Sequence, residues 1–194
     1  MSTRCQVEFI YQWKDSDNKR HSEKRTVYRH SDGYPSAMMQ DLLEFLRWNQ
    51  GRNDQPDYAA ANWIYWNKRR DEDCYLNDLH HKRWEERTHD IKWNDPIVAS
   101  DPNHVLKIGF GVDVNNRYHG DIEYLYKVTM SVGLRRDSDT IGVTAYVVRR
   151  ATWDAKHVFK RIGKITFNYD MTDEQIVAEG KRISDLNDKM KGGE

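Results

Sequence analysis

From Cys5 to Trp13 nearly every second residue is apolar: Cys5, Val7, Phe9, Tyr11 and Trp13 alternate with Gln6, Glu8 and Gln12, Ile10 being the exception. Successive side chains of a strand point to opposite faces, so this pattern predicts a β-strand over residues 5–14 with one buried face. The same rhythm returns twice. Leu106, Ile108, Phe110, Val112 and Val114 alternate without a break, then Ile122, Tyr124, Tyr126, Val128 and Met130 do so after the turn-like NNRYHGD. These two runs read as a β-hairpin, and TIGVTAYVV and KHVFKRIGKITFNY continue the β pattern.

Helical signals fall between and after these runs. The polar stretch KDSDNKRHSEK reads as a long hairpin loop, after which RTVYRH forms a second strand paired back on the first. At HSDGYP the pattern changes: Pro35 disfavours helix at Tyr34, Ser36 can cap, and Met38, Met39, Leu42, Leu43 and Leu46 recur at helical spacing until NQG. A second helix starts near Asp54 as cap, with Pro56 in its first turn, and its body YAAANWIYW is apolar nearly all round. Residues 68–93 are densely charged and read as a helical extension laced by charge pairs. A closing amphipathic helix opens at Thr172, with Gln175 at capping-box spacing, and frays over 191–194. The expected fold is therefore one α+β domain over 1–194: a mainly antiparallel sheet of about six strands, helices inserted after strand 2, and a C-terminal helix.

Lys plus Arg and Asp plus Glu both number 31, so the net charge is zero and no general attraction to nucleic acid or anionic lipid is expected. No apolar stretch approaches the roughly 20 residues that span a bilayer, and the N-terminal MSTRCQVEF lacks the apolar run of a secretory leader, which predicts a soluble cytoplasmic protein. Cys5 and Cys74 stand far apart without CxxC spacing and read as free thiols. The unusual feature is the ring content: seven Trp, eleven Tyr and five Phe. Such rings suit a core edge or a recognition surface equally well.

Three segments carry groups capable of chemistry. In HSDGYP, glycine is read as supplying a backbone conformation closed to other residues, so that His30, Asp32 and Tyr34 line a pocket beside a helix N-terminus. The plainer reading is a stiff Asx turn. In RYHGDIEY, strand alternation would align His119, Asp121 and Glu123 on one face, as ligand contacts or as donors to a divalent metal. The plainer reading there is a solvated strand face. Between Arg149 and Lys164 the chain is basic and aromatic; Arg149, Arg150, Lys160 and Arg161 could meet phosphates, or simply protect a sheet edge. GFGVDV lies in an alternating strand and does not open a helix, so it is not a dinucleotide loop.

At YRHSDGYPSAMMQDLLEFL, DYAAANWIYW and HGDIEYLYKV the chain resembles an uncharacterised family of phage, plasmid and prokaryotic genomes that shares an H-x-D-G-Y-P turn followed by a Leu-rich helix. The resemblance covers about the first seventy residues and the strand near 120, and Ser31 departs from the aromatic found in many relatives. It implies a small accessory protein of a mobile element, in a setting where factors that counter host defence are common, and brings no established activity. The expected function is a non-catalytic binding protein that engages a host protein or a small anionic or nucleotide ligand through His30, Asp32, Tyr34, His119, Asp121 and Glu123, without a cofactor. Two alternatives are a hydrolase of phosphodiesters or nucleotides, using a divalent metal at His30, Asp32, His119, Asp121 and Glu123, and a nucleic-acid binder through the basic segment.

Overall fold

A computed structural model describes residues 3–30, 32–85, 110–113, 117–132, 140–149 and 157–192, with the backbone alone along 71–85 and 110–113. Among these, strands β1 (Cys5–Lys14), β2 (Arg20–Arg29), β3 (Phe110–Asp113), β4 (Tyr124–Ser131), β5 (Thr140–Arg149) and β6 (Val158–Phe167) join in one sheet of order β3-β2-β1-β4-β5-β6. Helices α1 (Pro35–Trp48) and α2 (Pro56–Glu85) follow β2, and α3 (Asp173–Gly192) closes the description. The expected α+β class, the mainly antiparallel sheet, the helices after the second strand and the C-terminal helix are all observed. Five strands of eight to ten residues carry the sheet, and the remaining one is a four-residue edge.

The expected hairpin between the two later alternating runs does not form. β3 pairs antiparallel with β2, whereas β4 pairs parallel with β1, so β2 and β1 stand between them. Alternation specifies which face a strand buries but not which neighbour it joins. The loop after β1 is also shorter than its polarity implies, because β2 already begins at Arg20. Asp15 closes that connection by accepting the Asp17 and Lys19 N–H groups at 3.0 and 2.9 Å, and Asn18 takes the left-handed conformation at φ 62°.

Pro35 sets the start of α1. Tyr34 is held extended at φ −67° and ψ 146°, as the residue before a proline must be, and occupies the cap position without a side-chain hydrogen bond. Ser36 therefore sits inside the first turn and does not cap. Pro56 likewise opens α2, so Gln55 takes the cap position in place of Asp54 and its carbonyl accepts from Ala59 at 2.9 Å. The charged extension is helical as far as Glu85, and residues 86–93 lie outside the description. At α3 the capping box is realised: Gln175 accepts the Thr172 N–H at 2.9 Å while Thr172 accepts the Gln175 N–H at 3.3 Å. That helix runs through Lys191 to Gly192, past the expected start of fraying.

All three helices pack on the sheet face made by Cys5, Val7, Phe9, Val27, Tyr126, Val143 and Ile165. Phe9, Phe45, Trp63 and Trp66 form the aromatic centre, with Phe45 and Trp63 edge to face at 5.1 Å. Within this apolar layer lies one charged network. Arg29, 5% exposed at the end of β2, donates to Asp41 of α1 at 3.1 Å and to Asn67 of α2 at 3.2 Å. Arg70 of α2 forks onto both Asp41 oxygens at 2.5 and 2.8 Å. The network thus ties a strand to two helices.

Removing Asp41 leaves Arg29 charged and desolvated, so Asp41→Ala should cost about 3–5 kcal/mol in urea denaturation; a loss below about 1 kcal/mol would show that the helices hold without it. The alkaline limb gives a second test. Burial pushes the Cys5 thiol up to about 12 from 9.0, against a smaller opposing pull from Arg29, and burial also raises the Tyr126 phenol well above 10.0. The unfolded chain releases these protons earlier than the folded one, so the stability fully present below about pH 9 falls as pH climbs toward 12. The denaturation midpoint should drop steadily across that window, and in a Cys74→Ser background the native Cys5 should resist thiol reagents near neutral pH. A flat alkaline limb would contradict this account.

Candidate functional site

The turn from β2 to α1 crosses one end of the sheet. Its left-handed residue is Asp32, at φ 55°; Gly33 is not in a positive-φ conformation, contrary to the sequence expectation. Aspartate tolerates that region better than most residues, which explains its presence there without chemistry. Glycine is required at 33 for a different reason. A Cβ there would lie 2.8 Å from the Cys5 Cβ and 3.0 Å from the Thr3 carbonyl oxygen. The Gly33 N–H donates to that carbonyl at 3.0 Å, and the buried Tyr126 hydroxyl donates to the Gly33 carbonyl at 2.8 Å. The turn's backbone is thus fastened from both sides, by the Thr3 carbonyl and by the Tyr126 hydroxyl.

The second cluster is not a strand. β4 begins only at Tyr124, and the described residues 117–123 precede it as a loop and turn, so His119, Asp121 and Glu123 are not aligned by strand alternation. Gln6 holds this loop: its amide donates to the Arg117 carbonyl and accepts the His119 N–H, both at 3.0 Å. Gln6 and Glu8, read as the polar face of β1, are in fact fully buried. Glu8 lies between Lys24 at 2.7 Å and Lys127 at 3.1 Å. Burial works against the Lys127 charge, yet Glu8 beside it outweighs that and raises its pKa.

The two clusters meet through Tyr28, which the sequence did not single out. Its ring stacks on His119 at 4.3 Å and 22°, and its hydroxyl pairs with His30 Nδ1 at 3.1 Å. Burial, then the neighbouring Asp121 carboxylate, raises the Tyr28 pKa, so the phenol remains a neutral hydrogen-bonding group. Asp121 forms an ion pair with Arg4 at 3.0 Å, and the ring of His157 approaches the His119 carbonyl at 3.1 Å. His30, His119 and Asp121 are therefore neighbours of one tyrosine. Glu123 takes part through its backbone, accepting from Val148 and donating to Arg4. Tyr34 lies elsewhere, with its ring 6.5 Å from Tyr124 on the helix-bearing face of the sheet. Strand register could have exposed Tyr28, which sits opposite Gln6; nothing local to the sequence marks Arg4 or His157.

Among the described residues no three His, Cys, Asp or Glu side chains are grouped to hold a metal ion. The metal-assisted reading of His30, Asp32, His119, Asp121 and Glu123 therefore finds no donor set there. Of the basic segment, Arg149 ends β5 and Lys160 and Arg161 lie exposed on the edge strand β6, where charge blunts edge-to-edge pairing; Arg150 lies outside the description. No described helix is long and apolar enough to cross a membrane.

The fastened turn gives contrasting variants. Gly33→Ala should lower the melting temperature by driving a methyl into Cys5, and Gly33→Val should do so further. Asp32→Val should cost roughly 1–2 kcal/mol for its left-handed backbone, while Asp32→Gly should be tolerated. Equal melting temperatures across the four variants would overturn this account of the corner. Against this geometry, no protein-family model, no curated protein and no solved structure matches the chain, so the likeness at the H-x-D-G-Y-P turn rests on the quoted residues alone.

Proposed function

We propose that the protein is a non-catalytic binding protein whose ligand docks where the 30–34 turn meets the 117–123 loop. The observation that carries this reading is Tyr28, hydrogen-bonded to His30 and stacked on His119. It places two exposed imidazoles on a scaffold fixed by the Gly33 and Gln6 hydrogen bonds. Imidazoles and the Arg4 guanidinium offer donors to an anion, while the neighbouring aromatic rings offer flat apolar contact. The ligand class that fits is a small anion such as a nucleotide, or an acidic stretch of a host protein in the mobile-element setting the resemblance implies. Also in favour of binding over catalysis, Cys5 is buried with its thiol held protonated, and the Tyr28 phenol is held neutral, so neither supplies an activated nucleophile.

Capture by the immobilised protein, followed by mass spectrometry for proteins and small molecules, identifies the ligand. His30→Gln and His119→Gln should then each weaken its binding about tenfold, the scale of one hydrogen bond to a charged group, with melting temperature nearly unchanged. Retained affinity in the double variant refutes the site.

A further inference from the structure

At the opposite end of the β1–β2 hairpin the helix-bearing sheet face continues beyond the helices. Phe9 there is buried at 2% exposure, but Tyr11 and Trp13, the next residues on the same face, are only half-buried. Their rings stack at 5.1 Å and 23°, and Trp13 stacks in turn on His21 at 5.3 Å and 21°, making one aromatic row. Glu23 is registered opposite Tyr11 and so shares that face. The start of α2 stands beside this row. Together Tyr11, Trp13, Tyr58, Glu23, Asp54 and Asp57 line a cavity of about 290 Å³ with no cationic residue in its lining.

We propose that this cavity binds an organic ammonium group. Ring faces carry the negative lobe of the aromatic quadrupole and attract cations, most strongly from weakly hydrated alkylated ammonium. The chain's own guanidiniums already follow this preference at the rim: Arg52 lies 4.9 Å over the Tyr58 ring, and Arg25 forms an ion pair with Asp57. After that pairing the cavity retains the carboxylates of Glu23 and Asp54 beside the Tyr11–Trp13 pair. The first turn of a helix favours acidic residues by itself, which accounts for Asp57, but Glu23 comes from the strand and has no such reason to be there. The site is independent of the histidine cluster, and its charge selects the opposite ligand class.

The test is an NMR titration of the full chain with choline and with its uncharged carbon isostere, in which a tert-butyl group replaces trimethylammonium. The Trp13 indole N–H, assigned with Trp13→Phe, is the reporter. Choline should shift it with an affinity about tenfold above that of the isostere, and Tyr58→Ala or Glu23→Gln, both at exposed positions, should weaken choline about threefold or more without changing the melting temperature. A peptide carrying trimethyllysine that binds more tightly than choline assigns the ammonium to a partner protein, and the reverse order assigns it to a free small molecule. Equal binding of choline and the isostere, or no shift with choline and the peptide, overturns the proposal.

Discussion

The buried ion pair of Arg29 and Asp41 sets the relation between sheet and helices. Charges taken out of water are costly unless paired with good geometry, so once Arg29 is buried at the end of β2, Asp41 of α1 must meet it and Asn67 of α2 must accept from it, while Arg70 of α2 forks onto the same Asp41 carboxylate. Apolar contacts alone would permit the helices to slide or rotate on the sheet at small cost. The ion pair fixes one arrangement. Asp41 lies within two turns of Pro35, which sets the start of α1, so the pair also holds that first part of the helix against the end of β2.

The turn from β2 to α1 is shaped by contacts to its backbone at close quarters. Gly33 is squeezed against Cys5 and Thr3, and Tyr126 reaches from β4 to its carbonyl. Both strands are neighbours of one another through the parallel β1–β4 pairing, so the same pairing that builds the centre of the sheet also brings the 117–123 loop beside the turn. Gln6 then ties down the loop. The meeting of the two histidine-bearing segments follows from sheet topology, with Tyr28 filling the space between them.

The sheet has two unlike faces. One is apolar and covered by helices. The other buries Gln6 and Glu8 among Arg117, Lys24 and Lys127, where every buried polar group demands a partner and so restricts what can lie above it. Polar groups of this kind specify position more sharply than apolar ones, since a one-residue slip in register would leave the Glu8 charge unpaired and buried.

Much of this was legible in the sequence because it is local. Alternation placed β1 at its observed bounds, Pro35 and Pro56 marked helix starts, and Thr172 with Gln175 announced the capping box. Each depends on residues within a few positions of one another. Strand pairing, the burial of Gln6 and Glu8, the role of Tyr28 and the reason for Gly33 depend on residues up to about a hundred positions apart, and no periodicity carries that information. The sequence by itself determined where β1 and the helix starts lie and which face of β1 is apolar, since those follow from side-chain period and local backbone sterics. Only the tertiary structure decided which strands are neighbours, which histidine-bearing segments meet and which polar groups of β1 are buried, because these depend on long-range pairing of strands and on partners for buried charge.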